Sequence, residues 1–101
     1  MEFNKKLWIQ INNTLRKRDI DPSQSKFINT VRHHDTETFK HFLAKAKKCF
    51  SLYKNGHPYI SEAWTRNHSR RFDTIDLIDN IVYEFETKNI DKNDGSVRVG
   101  I

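Results

Sequence analysis

The residues best equipped for chemistry fall into one basic run, one lysine-rich segment and two histidine groupings. Residues 63–73 read Ala-Trp-Thr-Arg-Asn-His-Ser-Arg-Arg-Phe-Asp, placing a tryptophan, three arginines and a histidine within eleven positions. Gripping a nucleic-acid backbone needs several cations along a groove, with aromatic rings among them to stack on unpaired bases. Lys40, Lys45, Lys47 and Lys48, with Arg66, Arg70 and Arg71, are candidates for the cations, and Trp64, Tyr59 and His68 for the rings. The competing reading is a solvated lysine face with Trp64 in the core, where tryptophans usually sit. No zinc-finger, RRM or KH signature is present, so DNA and RNA are not distinguished.

His34, Glu37 and His41 stand at i, i+3 and i+7, a spacing that puts two imidazoles and a carboxylate on one helical face. Asp35, however, reads as the helix cap and would leave His34 outside that face. No fourth ligand is indicated and the spacing is not HExxH, so the three are assigned as surface polar residues and no cofactor is expected. His57 and His68 flank the basic loop, as they would in a histidine-dependent ribonuclease or an HNH-type nuclease. Such enzymes need ordered metal ligands or a paired general acid and base, and nothing in the sequence fixes a partner for either histidine. Cys49 falls on an apolar helical face and reads as a core thiol, not a nucleophile. The three glycines are isolated, which excludes a glycine-rich phosphate loop. The sequence therefore points to a protein that is not an enzyme, with a small metal-dependent nuclease as the third reading.

The elements that must position these residues read as helices. Phe3, Leu7, Ile11 and Leu15 recur every four residues over Phe3–Arg18, which predicts an amphipathic helix ending in the cations Arg16, Lys17 and Arg18. Asp21-Pro22-Ser23-Gln24 is a helix start, with a capping acid and proline at the first helical position. A short helix should follow and end near His33. Phe39, Phe42, Leu43, Ala46, Cys49, Phe50 and Tyr53 define the buried stripe of a third helix, stopped by Gly56 and Pro58. Residues 61–64 suit a short helix. Ile75, Ile78, Ile81, Val82 and Phe85 predict a last helix over Phe72–Thr87, capped by Ser69 or Asp73. A competing alternation at 81–85, with a turn at Asn93-Asp94-Gly95, would instead make a C-terminal β-hairpin of 81–87 with 96–101.

The expected fold is all-α, a bundle of four to five helices in a single domain spanning 1–101, with 88–101 a flexible tail or part of that hairpin. Apolar residues are 36% and charged residues 31%, so a small aromatic-rich core under a charged shell is expected. One cysteine excludes an internal disulfide, and the N-terminus lacks the apolar run of a signal peptide; a cytoplasmic protein without a membrane partner is expected. The Lys-, Asn- and Ile-rich composition suggests an AT-rich coding genome, as in a bacteriophage or a low-GC bacterium.

Charge is segregated. Residues 1–71 hold 15 Lys and Arg against 6 Asp and Glu, and residues 72–101 hold 3 against 7, a split of +9 and −4 within the net +5. A basic patch of this kind attracts polyanions. The reading is a small nucleic-acid-binding accessory or regulatory protein. The alternative is a protein-binding inhibitor or adaptor, of the type phages use for host takeover, docking on a charged protein through Asp76, Asp79 and Glu86 on the outer face of the last helix.

Overall fold

The computed structural model describes residues 3–86 and 95–101. Helix α1 spans Lys5–Lys17, with the Asn4 side chain accepting the Leu7 N–H as its cap. Asp21 caps a 3-10 helix, Pro22–Phe27, through the Ser23 N–H, as the Asp-Pro start predicts. That helix stops at Phe27, and an extended segment continues toward α2, Phe39–Lys54. The cap of α2 is Thr38, not Asp35, and its hydroxyl accepts the His41 N–H. At the other end Gly56 takes φ +74°, the left-handed geometry that lets the chain turn off the helix.

From there the chain is strand, which corrects the all-α expectation. Strands β1 (Tyr59–Trp64), β2 (Arg71–Asp76), β3 (Ile81–Glu86) and β4 (Val97–Gly100) form one sheet in that order. The first three make an antiparallel meander, and β4 pairs parallel to β3, from Tyr83↔Val97 to Glu86↔Gly100. The described residues therefore form an α/β fold, not a helical bundle.

The last helix fails for a local reason. Asp76 Oδ1 accepts the N–H groups of Ile78 and Asp79, and Asn80 adopts φ +55°. An aspartate that binds the backbone two and three residues ahead competes with helix and favours a turn. The isoleucines on either side are β-branched and pack well on a sheet. Helix α1 holds this turn: the Thr14 hydroxyl donates to Leu77 O at 2.9 Å, and Arg18 donates to the side-chain and backbone oxygens of Asn80, each at 2.7 Å. The C-terminal strand exists, but its parallel pairing replaces the expected hairpin. Of the proposed 93–95 turn only Gly95 belongs to the described residues.

Neighbours on one strand point to opposite faces. Ile60 and Val82 join the larger core cluster with Ile11 of α1, while Tyr59 and Tyr83 join Cys49 and Leu52 of α2. The sheet is thus the middle layer between α1 and α2.

Candidate metal and phosphate site

Helix α2 does not bury the stripe its apolar periodicity predicts. Its buried residues are Lys45, Cys49 and Leu52, whereas Phe39 is 75% and Phe50 64% exposed. At 100° per residue this is a rotation of roughly 100°, sharing only Cys49 with the expected face. The rotation turns His41 and Lys45 inward, onto the sheet face that carries Glu62 of β1 and Asp73 of β2.

Lys45 is fully buried. Its ammonium donates to both carboxylate oxygens of Glu37, at 2.9 and 2.8 Å, and to Glu62 Oε1 at 3.0 Å. Burial pushes the Glu37 carboxyl up, but the hydrogen bonds from Lys45 and His41 outweigh it and hold the group below the usual carboxylate range. Glu62 sits inside β1 with φ +50° and a side chain only 5% exposed, and its Oε2 lies 3.2 Å from Arg71 Nε. Positive φ at a non-glycine strand residue is strained, and such strain gathers at functional positions.

The open part of the cluster is built around His41. Its Nδ1 meets Glu37 Oε2, and its Nε2 lies 3.3 Å from Asp73 Oδ2. A neutral imidazole donates from one nitrogen only. Carboxylates at both nitrogens therefore call for a positive centre, either a second proton or a cation. Asp73 reaches this point because the β2–β3 register ends at Thr74↔Tyr83, and its carboxylate, in place of a backbone carbonyl, accepts the Phe85 N–H at 3.0 Å. Beyond it, burial and the neighbouring Asp73 charge push the Glu84 carboxyl up to about 8. Two acids this close cannot both ionise freely unless a cation joins them. Three carboxyl groups, Glu37, Glu62 and Asp73, thus face two fixed cations, Lys45 and Arg71, around His41. This is a negative recess in a chain of net charge +5.

His34 comes to the same place from outside the helix. The Arg32 N–H donates to Ser61 Oγ at 2.8 Å, and the Arg32 guanidinium donates to the carbonyls of Ser61 and Glu62. The segment is thereby fastened against β1, with the His34 ring centre 5.9 Å from that of His41. Ligand atoms of His34, Glu37 and His41 lie within 4.8 Å of one another. The assignment of these three as separate surface residues is corrected: the extended chain before α2 returns His34 to the helical face, and β2 brings Asp73 beside it.

The basic candidates divide. Lys45 is a buried ion-pair partner and offers nothing to a polyanion, because both acids beside it saturate its ammonium. Lys40, Lys47 and Lys48 line a groove of ≈ 530 Å³ between α2, Phe85 and the end of β4. Arg70 and Arg71 start β2 beside the acids; the Arg70 guanidinium lies 4.4 Å from the Phe72 ring centre. Arg66 is exposed, 3.5 Å from Asp19. Trp64 stacks on His68 with centroids 5.5 Å apart and planes at 15°, so that ring face is already covered. His68 also meets Asp21, at 3.2 Å.

The acidic surface of the alternative reading does not form. With no last helix, Asp76 is buried and held by His57 at 2.9 Å, Asp79 is exposed on the turn, and Glu86 pairs with Arg98 at 2.9 Å. Glu62 and Asp73 were missed as site residues because each was read outside a strand, Glu62 in a short helix and Asp73 as a helix cap. Cys49 is buried, and burial pushes its thiol up to about 11, which leaves it inert.

Among the described residues no helix is long and apolar enough to cross a membrane. No protein-family model matches the chain, and no curated protein and no solved structure matches it.

Proposed function

We propose that this protein is a metal-dependent phosphodiesterase acting on nucleic acid. The observation that carries the reading is the convergence of Asp73, Glu37, His41 and His34 on one recess. Excess negative charge there suits a divalent cation, and a cation so held attracts a phosphate that the carboxylates alone would repel. Lys40, Arg70 and Arg71 flank the recess and are placed in the chain to contact neighbouring phosphates. Nucleic-acid contact through basic residues is thus the broader half of the proposal, and cleavage its narrower half.

The reaction is hydrolysis. A water oxygen bonds to phosphorus as one P–O ester bond breaks. The water proton passes to a carboxylate or imidazole of the cluster, and the departing oxygen takes up a proton, leaving a phosphomonoester and a hydroxyl end. A divalent ion held by these groups would polarise the phosphoryl oxygen and lower the pKa of a water bound to it. His41, between Glu37 and Asp73, would help to hold that ion.

The test uses end-labelled single-stranded and duplex DNA and RNA with Mg²⁺, Mn²⁺ or Zn²⁺. Cleavage by the wild-type protein, lost in Asp73→Asn with nucleic-acid binding retained, is the expected result. Binding without cleavage under every metal would leave a nucleic-acid-binding protein and remove the enzyme.

A further inference from the structure

We infer that His34, Glu37, His41 and Asp73 form a binding site for a transition-metal dication of the zinc class. The inference deepens the function proposed above by naming the ion, and it rests on that reading only for the ion's use in hydrolysis. Two imidazoles among four ligands set the chemistry: carboxylate-only sites suit Mg²⁺, Ca²⁺ or Mn²⁺, while imidazole favours Zn²⁺ and its neighbours. Zinc typically takes four N, O or S ligands at about 2.0–2.3 Å, which sets N/O ligand atoms about 3.3 Å apart in a tetrahedron.

The existing geometry is close to that. His34, Glu37 and His41 atoms lie within 4.8 Å of one another, and Asp73 Oδ2 is 3.3 Å from His41 Nε2. His34 is 23% and His41 18% exposed, so both rings border the open side of the site. Behind the ligands stands an outer shell. Lys45 orients Glu37, the Phe85 N–H orients Asp73, and Thr36 Oγ1, 3.1 Å from His34 Nδ1, orients His34. Outer-shell contacts of this kind hold a ligand's rotamer and tautomer. Glu62 Oε2 makes no hydrogen bond among the described residues and lies 3.2 Å from Arg71 Nε.

A second histidine–acid group, His57 with Asp76 and Asp79, serves as the internal comparison. There Asp76 accepts two backbone N–H groups of its own turn as well as meeting His57, which makes it a structural clasp.

The experiment measures binding of Zn²⁺ and Mg²⁺ to metal-free full-length protein by calorimetry, with Co²⁺ as a spectroscopic probe. Zn²⁺ should bind more tightly than Mg²⁺, and Co²⁺ should give the visible absorption of a tetrahedral centre. His34→Ala and His41→Ala should each weaken Zn²⁺ by more than the ~10–100-fold that loss of an outer-shell partner costs. His57→Ala should leave it unchanged. Zn²⁺ affinity that survives both His34→Ala and His41→Ala, or falls only in His57→Ala, would overturn the site, as would Mg²⁺ binding as tightly as Zn²⁺. The two proposals fail separately. Zinc bound here without any nucleic-acid cleavage removes the phosphodiesterase, and Mg²⁺-supported cleavage by His34→Ala protein removes zinc from the reaction while the calorimetry decides the site.

Discussion

Lys45 and His57 are the residues on which burial and charge act most directly. Lys45 has no solvent and two carboxylate partners. Lys45→Met would leave Glu37 and Glu62 buried against each other without their cation, and such a break costs about 3–5 kcal/mol. Urea denaturation at neutral pH checks this; a loss below about 1 kcal/mol would mean that the ammonium is exposed in solution. His57 reports pH. Its hydrogen bond to Asp76 raises its pKa above the usual histidine value, against a smaller opposing effect of burial. A histidine raised in the folded state contributes stability fully present below its unfolded value of about 6.5, and lost as pH rises through the folded value. The melting-temperature gap between wild type and His57→Ala should therefore be larger near pH ~5.5 than near pH ~9. An equal gap at both would show that the clasp acts by packing alone. NMR titration of Asp76→Asn should return His57 toward its ordinary value.

At the scale of elements, the rotation of α2 has a direct consequence for stability. Phe50 lies on the predicted core stripe but is 64% exposed, whereas Leu52 lies off it and is 7% exposed. Phe50→Ser should change stability by no more than about 0.5 kcal/mol, as surface changes do. Leu52→Ala should cost about 2–5 kcal/mol through lost burial and a cavity. The reverse order in thermal melts would restore the periodicity-based face. Periodicity misled here because the sheet presents acids: the helix face that meets Glu62 and Asp73 must supply His41 and Lys45, and charge pairing outranked apolar area at this contact. The β2–β3 pair misled in the same way. Ile75, Ile78, Ile81 and Val82 fit a period of 3.6 by coincidence, while Asp76 and Asn80 had already set a turn.

Among the described residues Asp73 lies beside the N-terminal half of α2 and Asp76 beside His57, just past its C-terminal end, with Lys40, Arg70 and Arg71 in the neighbouring sequence. If about four to six phosphates are neutralised, the slope of log affinity against log salt should be roughly −3 to −5. Arg70→Ala should shallow it by about one unit, because that arginine stands at the exposed start of β2. Lys45→Met, assayed below its melting temperature, should leave the slope as it is, since Lys45 has no exposed surface. A slope reduced equally by both would place Lys45 at the nucleic acid.

What the sequence by itself determined is local. Helix α1, the Asp21-Pro22 start, and the run of α2 to its stop at Gly56 are written in caps, periodicity and glycine, all acting within a few residues. Only the tertiary structure decided that residues 59–86 become a meander and that β4 pairs parallel to β3. Strand partners lie far apart in the chain, and a short apolar run does not name its partner. The site follows the same division. His34, Glu37 and His41 were visible as a spacing, although only His41 lies in α2 and the chain before Thr38 folds the other two beside it. Asp73 and Glu62 joined them only when the sheet placed its strands beneath α2, since hydrogen bonding between strands, not sequence distance, sets which carboxylates meet.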